Sequence, residues 1–288
     1  MTDWLMANPH AGDGDRGGPF WRDCLEKAGI RDLRLCDLDD QSWIRTLSAD
    51  DRVLVAGGDG SVNLAAAFCV ERGTTLAVLP SGTANDFFRN LGLADDPQTL
   101  CRIIAEGHTR EVDVAMAGDT LFLNVAHVGL GTAPVTEQES SQKKLFGRFS
   151  YGLTFLRRVS EKRGFHGVIA TESGQVGGRW LSIAIANGAY FGGGNEVPGA
   201  SLDNGQLVIV GVRPRPLWRL ALAFFMTRMG RPPRDNQVIV RLQGTRCRLT
   251  TAKPKTITLD GEVADKKTPL EVICKAGALR VVCGHVNG

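Results

Sequence analysis

No apolar run in this chain of 288 residues approaches the length that crosses a bilayer, roughly 20 residues of helix. The opening Met1-Thr-Asp-Trp-Leu-Met-Ala7 lacks the basic start of a secretory signal. Cysteine is present but unpatterned: seven residues, an odd number, with no CxxC pair. That speaks against a disulfide framework and for reduced thiols in a cytoplasm. Five scattered histidines offer no zinc spacing. There is no internal repeat, no low-complexity tract and no recognised nucleic-acid motif. What remains is a soluble globular chain, 43% hydrophobic, with room for two domains.

The net charge of +3 hides an asymmetry. Residues 1–120 carry 11 Lys/Arg against 20 Asp/Glu, and residues 121–288 carry 23 against 11. A basic second half points to an anionic partner, membrane before nucleic acid.

The chain is organised around Val53-Leu-Val-Ala-Gly-Gly-Asp-Gly-Ser-Val-Asn-Leu64. A buried apolar strand runs into three glycines, and an apolar helix follows from Ser61 to about Arg72. Such a turn aims backbone N–H groups outward at the positive end of a helix dipole, which suits phosphate. Gly57, Gly58 and Gly60 let the main chain approach a ligand without a β-carbon in the way. Asp59 repels phosphate unless a cation lies between, so the stretch suggests phosphate with a divalent metal. The bland alternative is a tight glycine turn with a capping Asp. A second unit, strand Leu76–Leu79 followed by Pro80-Ser-Gly-Thr-Ala-Asn-Asp-Phe-Phe-Arg89, fits the same crevice of an open α/β sheet. Neither loop is a Walker A sequence or a Rossmann fingerprint.

Together these loops resemble the diacylglycerol kinase catalytic family, the bacterial lipid kinases related to sphingosine and ceramide kinases. Gly57-Gly-Asp-Gly-Ser-Val-Asn-Leu64 is similar to that family's GGDGTxNE. Leu79-Pro-Ser-Gly-Thr-Ala-Asn-Asp-Phe-Phe-Arg89 is similar to its LPxGTxNDFAR, and Asn8-Pro-His-Ala-Gly12 to its NPxSG turn. The resemblance implies nucleotide contacts at Asn8, Gly12, Gly57, Gly58, Asp59, Gly60, Ser61, Asn63, Gly82, Thr83, Asn85 and Asp86. It continues through Asp113, Phe122-Leu-Asn124, Gly129-Leu-Gly131, Gly147–Gly152 and Asn187–Gly194, to about Val282. Leu64 departs from the pattern, where the family usually has Glu.

The fold class expected is α/β plus all-β. Strands near Trp4–Met6, Leu33–Cys36, Arg52–Ala56, Thr75–Leu79 and Glu111–Val114 alternate with helices near Pro19–Ala28, Gln41–Leu47, Ser61–Arg72, Asn85–Leu91 and Pro97–Glu106. This predicts an open parallel-sheet nucleotide domain over residues 1–120, of the phosphofructokinase and NAD-kinase type. From Leu121 strands and glycine turns dominate: Leu121–Ala126, Gly167–Thr171, Trp180–Ala186, Leu207–Val212, Gln237–Leu242, Arg246–Thr250 and Leu279–Cys283. They predict an antiparallel β-sandwich over residues 121–288, the lipid-substrate domain by resemblance.

Leu259-Asp-Gly-Glu262 carries two carboxylates around a glycine, and the residues alone favour an Asp-Gly hairpin turn. In the family this Asp-Gly-Glu lies across the cleft from the nucleotide as proton acceptor, which makes Glu262 the expected base and Asp260 its partner or a metal-network ligand. Asp59, and Asp113 read as the end of a parallel strand, are expected to hold Mg²⁺ through water. The family has a further Mg²⁺ loop, here Ser201-Leu-Asp-Asn-Gly-Gln-Leu207, giving Ser201, Asn204 and Gln206 as ligands. Asn204 stands where Asp is expected.

Two basic, apolar stretches, Lys143–Arg163 and Pro216–Met229, read either as helices covering the sandwich or as a surface for anionic lipid. The resulting expectation is an ATP- and Mg²⁺-dependent lipid kinase, cytoplasmic and peripheral at the inner face of the membrane. Its partners would be a membrane lipid substrate, an anionic membrane surface and, as a homodimer, a second copy, with no nucleic acid. Alternatives are a kinase of the NAD-kinase or phosphofructokinase type, and a regulator that binds nucleotide or lipid with weak catalysis.

Overall fold

The computed structural model describes residues 1–7, 16–36, 41–129, 164–228 and 238–284. The first part alternates β1 (Asp3–Ala7), α1 (Gly18–Lys27), β2 (Leu33–Cys36), a 3₁₀ turn over Gln41–Thr46, β3 (Arg52–Gly57), α2 (Asp59–Arg72), β4 (Thr75–Pro80), α3 (Asp86–Leu91) and α4 (Pro97–Glu106). β5 (Thr109–Ala117) and β6 (Thr120–Phe122) follow. β3 and β4 are buried at every residue, as parallel strands covered on both faces require. The order β2-β1-β3-β4 is parallel throughout. Its direction of winding reverses between β1 and β3, and ligands of open α/β sheets bind outside the carboxyl ends at such a point.

At the opposite ends of β1 and β3, Arg52 pairs with Asp3 through Nε at 2.6 Å and Nη2 at 2.8 Å, and both residues are buried. Arg52 Nη1 also donates to the Ile104 carbonyl at 2.6 Å, so the buried charge is satisfied on three sides and ties α4 to the sheet. α2 buries Val62, Ala65, Ala66 and Cys69, spaced for one helical face, and ends at Gly73 in the left-handed region with φ 69°.

The second part contains β7 (Val125–Gly129), β8 (Phe165–Thr171), β9 (Gly174–Trp180), β10 (Ser182–Ala186), β11 (Tyr190–Phe191), β12 (Asn195–Glu196) and β13 (Leu207–Val212). After α5 (Leu217–Arg228) come β14 (Ile239–Gly244), β15 (Arg246–Thr251), β16 (Thr256–Leu259), β17 (Glu262–Lys267) and β18 (Leu270–Val282). One sheet of the sandwich runs β14-β13-β10-β7-β16-β17. It packs on strands β5, β18, β15 and β8 through a core that includes Phe122, Ile169, Trp180, Ile183, Leu207, Leu249 and Ile257.

The expected strand over Leu279–Cys283 begins earlier and has a different neighbour. β18 belongs to the first sheet: Arg280 and Val281 pair in parallel with Thr75 and Leu76 of β4, and its length pairs antiparallel with β5. This also corrects Asp113. It lies in mid-strand on β5, which is antiparallel to β18 rather than the last strand of a parallel set. None of the seven cysteines forms a disulfide.

Candidate active site

Three loops leave the carboxyl ends of β1, β3 and β4. The first holds Asn8 and Gly12, which lie outside the described residues. The second passes directly from β3 into α2, whose N-cap is Gly58 in extended conformation. Glycine supplies no side chain to accept from the first-turn amides, so the N-cap residue of α2 makes no side-chain cap. That is the fit a phosphate group needs. The third loop is closed by Asn85 at φ 49°, whose Oδ1 accepts from Gly82 N at 3.1 Å and whose Nδ2 donates to the Gly82 carbonyl at 2.8 Å. Ser81 anchors the loop from behind: Trp21 Nε1 donates to its Oγ at 2.8 Å, and Oγ donates to the Arg16 carbonyl at 2.8 Å. The two glycine loops touch, since a β-carbon at Gly82 would fall 2.5 Å from Gly58 Cα. Ser61 is half-buried and Thr83 exposed beside them.

Asp59 does not cap its own helix. Its Oδ1 accepts from Phe87 N at 3.1 Å, and the amides of Asn85 and Asp86 also face it. The carboxylate is thus the missing N-cap of α3, supplied from the neighbouring loop. Burial first, and then the neighbouring Asp86, push the Asp59 carboxyl up against the pull of these N–H bonds. Asp86 in turn reaches the second domain, accepting from Gly193 N at 2.9 Å and Gly194 N at 2.7 Å while Arg89 Nη1 lies 3.1 Å away.

The Asp-Gly pair between β16 and β17 is indeed a two-residue hairpin turn, with φ 48° at Asp260 and 92° at Gly261. It is also part of the site. Asp260 Oδ2 accepts from Leu123 N at 2.7 Å, and Oδ1 accepts from Asn124 N at 2.9 Å and Val125 N at 2.8 Å. Burial raises its carboxyl to about 6 in spite of these three donors, with Asp59 adding to the rise. Glu262, two residues on, is exposed and unencumbered by the turn, and a β-carbon at Gly60 would meet its Oε1 at 2.8 Å. The hairpin therefore sets a solvent-accessible carboxylate directly over the Gly57–Ser61 loop.

The arrangement of Asp260 makes a pH prediction. A carboxyl whose pKa is higher folded than unfolded binds its proton more tightly in the native state. Its contribution is then fully present below the ordinary value of 3.8 and is lost as pH rises to about 6. Asp260→Asn removes that component, so its urea midpoint should depend less on pH across this window than the wild type's. At neutral pH the amide would set a donor against one of the three N–H groups, lowering stability by about 1–3 kcal/mol. An identical pH dependence in the two proteins would refute the assignment.

Residues 4–117 match the model of the diacylglycerol kinase catalytic domain. Residues 126–283 match that of the YegS C-terminal NAD kinase beta sandwich-like domain. The chain belongs to the diacylglycerol kinase catalytic-domain family. A Pseudomonas aeruginosa protein named "Probable lipid kinase YegS-like" is 33% identical over 239 residues, 82% of this chain and 78% of its own. An uncharacterized Synechocystis protein is 30% identical over 240 residues, but the match spans only about half of its length, 54%. A crystal structure of a diacylglycerol kinase from Bacillus anthracis str. Sterne has the same fold, with TM-score 0.75 at 22% identity, covering 98% of this chain and 97% of that one. Membership places the chain in a lipid-kinase family rather than among the NAD kinases or phosphofructokinases. The NAD-kinase likeness resides in the sandwich.

The residues expected to hold metal are divided in this kinase. Asp113 is brought to the 201–207 loop, but its oxygens are engaged by main chain. Oδ2 accepts from Gly205 N at 2.6 Å, and Oδ1 accepts from Gly277 N at 2.9 Å in the bulge of β18. Asn204 Oδ1 accepts from Gln206 N at 2.9 Å, and Ser201 Oγ donates to Asp203. Gln206 also lines a separate groove of about 660 Å³ with Arg241 and Leu242. Asp59 faces Asp86 and Asp260 instead. No group of three or more His, Cys, Asp or Glu able to hold a metal occurs among the described residues.

Sequence reasoning missed Asn90, whose Oδ1 accepts from Ala189 N at 2.8 Å and Tyr190 N at 3.1 Å while Nδ2 donates to Asn124 Oδ1 at 2.9 Å. A β-carbon at Gly188 would lie 2.5 Å from Asn90 Nδ2, so that glycine is where the two domains interlock. The signal was present in the quoted Asn187–Gly194 stretch, but its partner was not readable from it. Asn63 Oδ1 is buried and has no partner among the described residues, an acceptor beside the Gly57–Ser61 loop. Leu64, at the position of the family acid, is 37% exposed.

Proposed function

We propose that this protein transfers the γ-phosphoryl group of ATP to the hydroxyl of a membrane lipid such as diacylglycerol, with Mg²⁺. The observation that carries the reading is the Glu262 carboxylate over Gly60, opposite the open end of α2. ATP supplies the transferable phosphoryl group and Mg²⁺ its charge neutralisation. The amides at Gly58–Ser61 and the 82–85 turn would cradle phosphate oxygens. Asp59 would be the carboxylate nearest the cation, since a positive charge relieves the burial and the Asp86 repulsion that raise its pKa. Mg²⁺ needs few protein ligands when phosphate and water complete its shell, so a single carboxylate suffices. Glu262 accepts the proton at Oε1 as the hydroxyl oxygen bonds to phosphorus and the bond to the departing ADP breaks. Asp260 positions it by fixing the turn.

The test is a panel of acceptors with labelled ATP: diacylglycerol, monoacylglycerol, a sphingoid base, ceramide, NAD and fructose 6-phosphate. Label should appear on one or more lipid alcohols and depend on Mg²⁺. Label on NAD or fructose 6-phosphate, with none on lipid, would overturn the reading.

A further inference from the structure

α5 has the wrong surface for a helix that merely covers a core. Nine of its twelve residues, Leu217-Trp-Arg-Leu-Ala-Leu-Ala-Phe-Phe-Met-Thr-Arg228, are apolar. A helix apolar on all sides belongs in a protein interior or in lipid. Its inner face is accounted for, since Leu220 and Ala223 pack with Leu181 and Val238. The other side is open: Leu217 is 44% exposed, Trp218 63%, Leu222 51% and Phe225 59%. Trp218, Leu222 and Phe225 follow the i, i+4, i+7 spacing of one helical stripe. Ten large apolar side chains are exposed among the described residues, and four of them are on this helix. Isolated exposed apolar residues need no explanation, but a continuous stripe does.

The charge around the stripe identifies what covers it. From residue 213 to residue 228 the sequence has four arginines and no acidic residue. Arg215 and Arg219 are exposed, and the Arg219 guanidinium lies 5.1 Å from the Trp218 ring centroid. Arg213 stacks at 4.8 Å over buried Trp180, fixing the entry to the helix on the sandwich. A second copy docking through this face would bring two sets of arginines together, and residues 213–228 supply no acid to offset them. An anionic bilayer satisfies both halves of the surface, taking the apolar stripe below the headgroups and the guanidiniums among the phosphates.

We propose that the Trp218-Leu222-Phe225 face of α5, with Arg215 and Arg219, docks the protein on anionic membrane by lying in the plane of the interface. The inference rests on the lipid-kinase reading, whose substrate lies in that membrane. No helix of the described residues is long and apolar enough to cross a membrane, so docking by a helix laid on the surface is the geometry available to them.

The test uses the full chain with phosphatidylcholine vesicles, alone or mixed with phosphatidylglycerol. The protein should co-sediment with the mixed vesicles and be released as salt is raised. The triple variant Trp218→Gln/Leu222→Gln/Phe225→Gln should bind at least about tenfold more weakly, the loss expected when three apolar side chains forgo burial. Arg215→Gln/Arg219→Gln should weaken binding and flatten its salt dependence. The difference in fluorescence between wild type and Trp218→Phe should shift to the blue on binding. Because these residues are exposed, both multiple variants should melt like the wild type and phosphorylate a dispersed short-chain lipid alcohol at the wild-type rate. Unaltered vesicle binding by the triple variant, or equal binding to neutral and mixed vesicles, would overturn the proposal. So would a lipid-free wild-type dimer that the triple variant dissociates. If vesicles bind as described but no lipid alcohol is phosphorylated, the docking surface stands and the kinase reading fails.

Discussion

Glu262→Gln should lose phosphoryl transfer by about a hundredfold or more, the contribution typical of a general base. The substitution keeps size and shape and removes only the capacity to take a proton. Since Glu262 is exposed, the fold should not notice. Nucleotide affinity should stay close to that of the wild type, because the carboxylate acts on the acceptor; protection of the fold by ATP against thermal unfolding measures this independently of turnover. Near-normal turnover in Glu262→Gln would remove the residue from the mechanism. Asp260 is a poor substitute, because its two oxygens already accept three main-chain N–H bonds. If Asp260→Asn is also slow, the urea midpoint tells the base from its positioning residue: Asp260→Asn should lower it and Glu262→Gln should not.

Gly82→Ala should be the most damaging single methyl in the site, and Gly58→Ala the informative control. At Gly82 the new carbon would lie 2.5 Å from Gly58 Cα and 2.9 Å from Asn85 Oδ1, one contact against backbone and the other against the side chain that closes the turn. Neither can retreat without moving a strand end. At Gly58 the nearest atom is Gly82 Cα at 3.4 Å, the edge of ordinary contact. Overpacking of the first kind costs on the order of 1–3 kcal/mol. Gly82→Ala should therefore show the lower urea midpoint and a raised KM for ATP, as the two loops are pushed apart. Equal midpoints for the two variants would mean that the loops do not bear on each other as described.

Much of this site was legible because its loops are local. Gly57–Ser61 and Pro80–Asp86 each join a strand to a helix within a few residues, and glycine, Asn and Asp declare such turns in sequence. What could not be read was which distant groups meet there. Leu121–Ala126 reads as one strand, yet Leu123 and Asn124 leave the pairing because their amides turn to Asp260, more than 130 residues away. Trp180–Ala186 likewise reads as one strand, but at Leu181 the chain passes from one sheet to the other. Alternation with period two is blind to that change. Gln41–Leu47 reads as a helix and forms a 3₁₀ turn instead. Asp59 was read for its charge beside phosphate, whereas its carboxylate is also the cap of a helix in the next motif. Asp113 was misplaced for a single reason: nothing in residues 109–117 reveals that their neighbour is β18.

That strand has a consequence for how the molecule is made. The ribosome releases the two glycine loops early, together with β4, but the strand that occupies the edge of β4 is synthesised nearly two hundred residues later. Until then β4 presents an unpaired row of backbone donors and acceptors, the kind of edge that recruits other chains. The nucleotide half is thus finished last although it is translated first. Interrupted translation or loss of residues 270–282 would strike the half of the protein from which they are most remote in sequence.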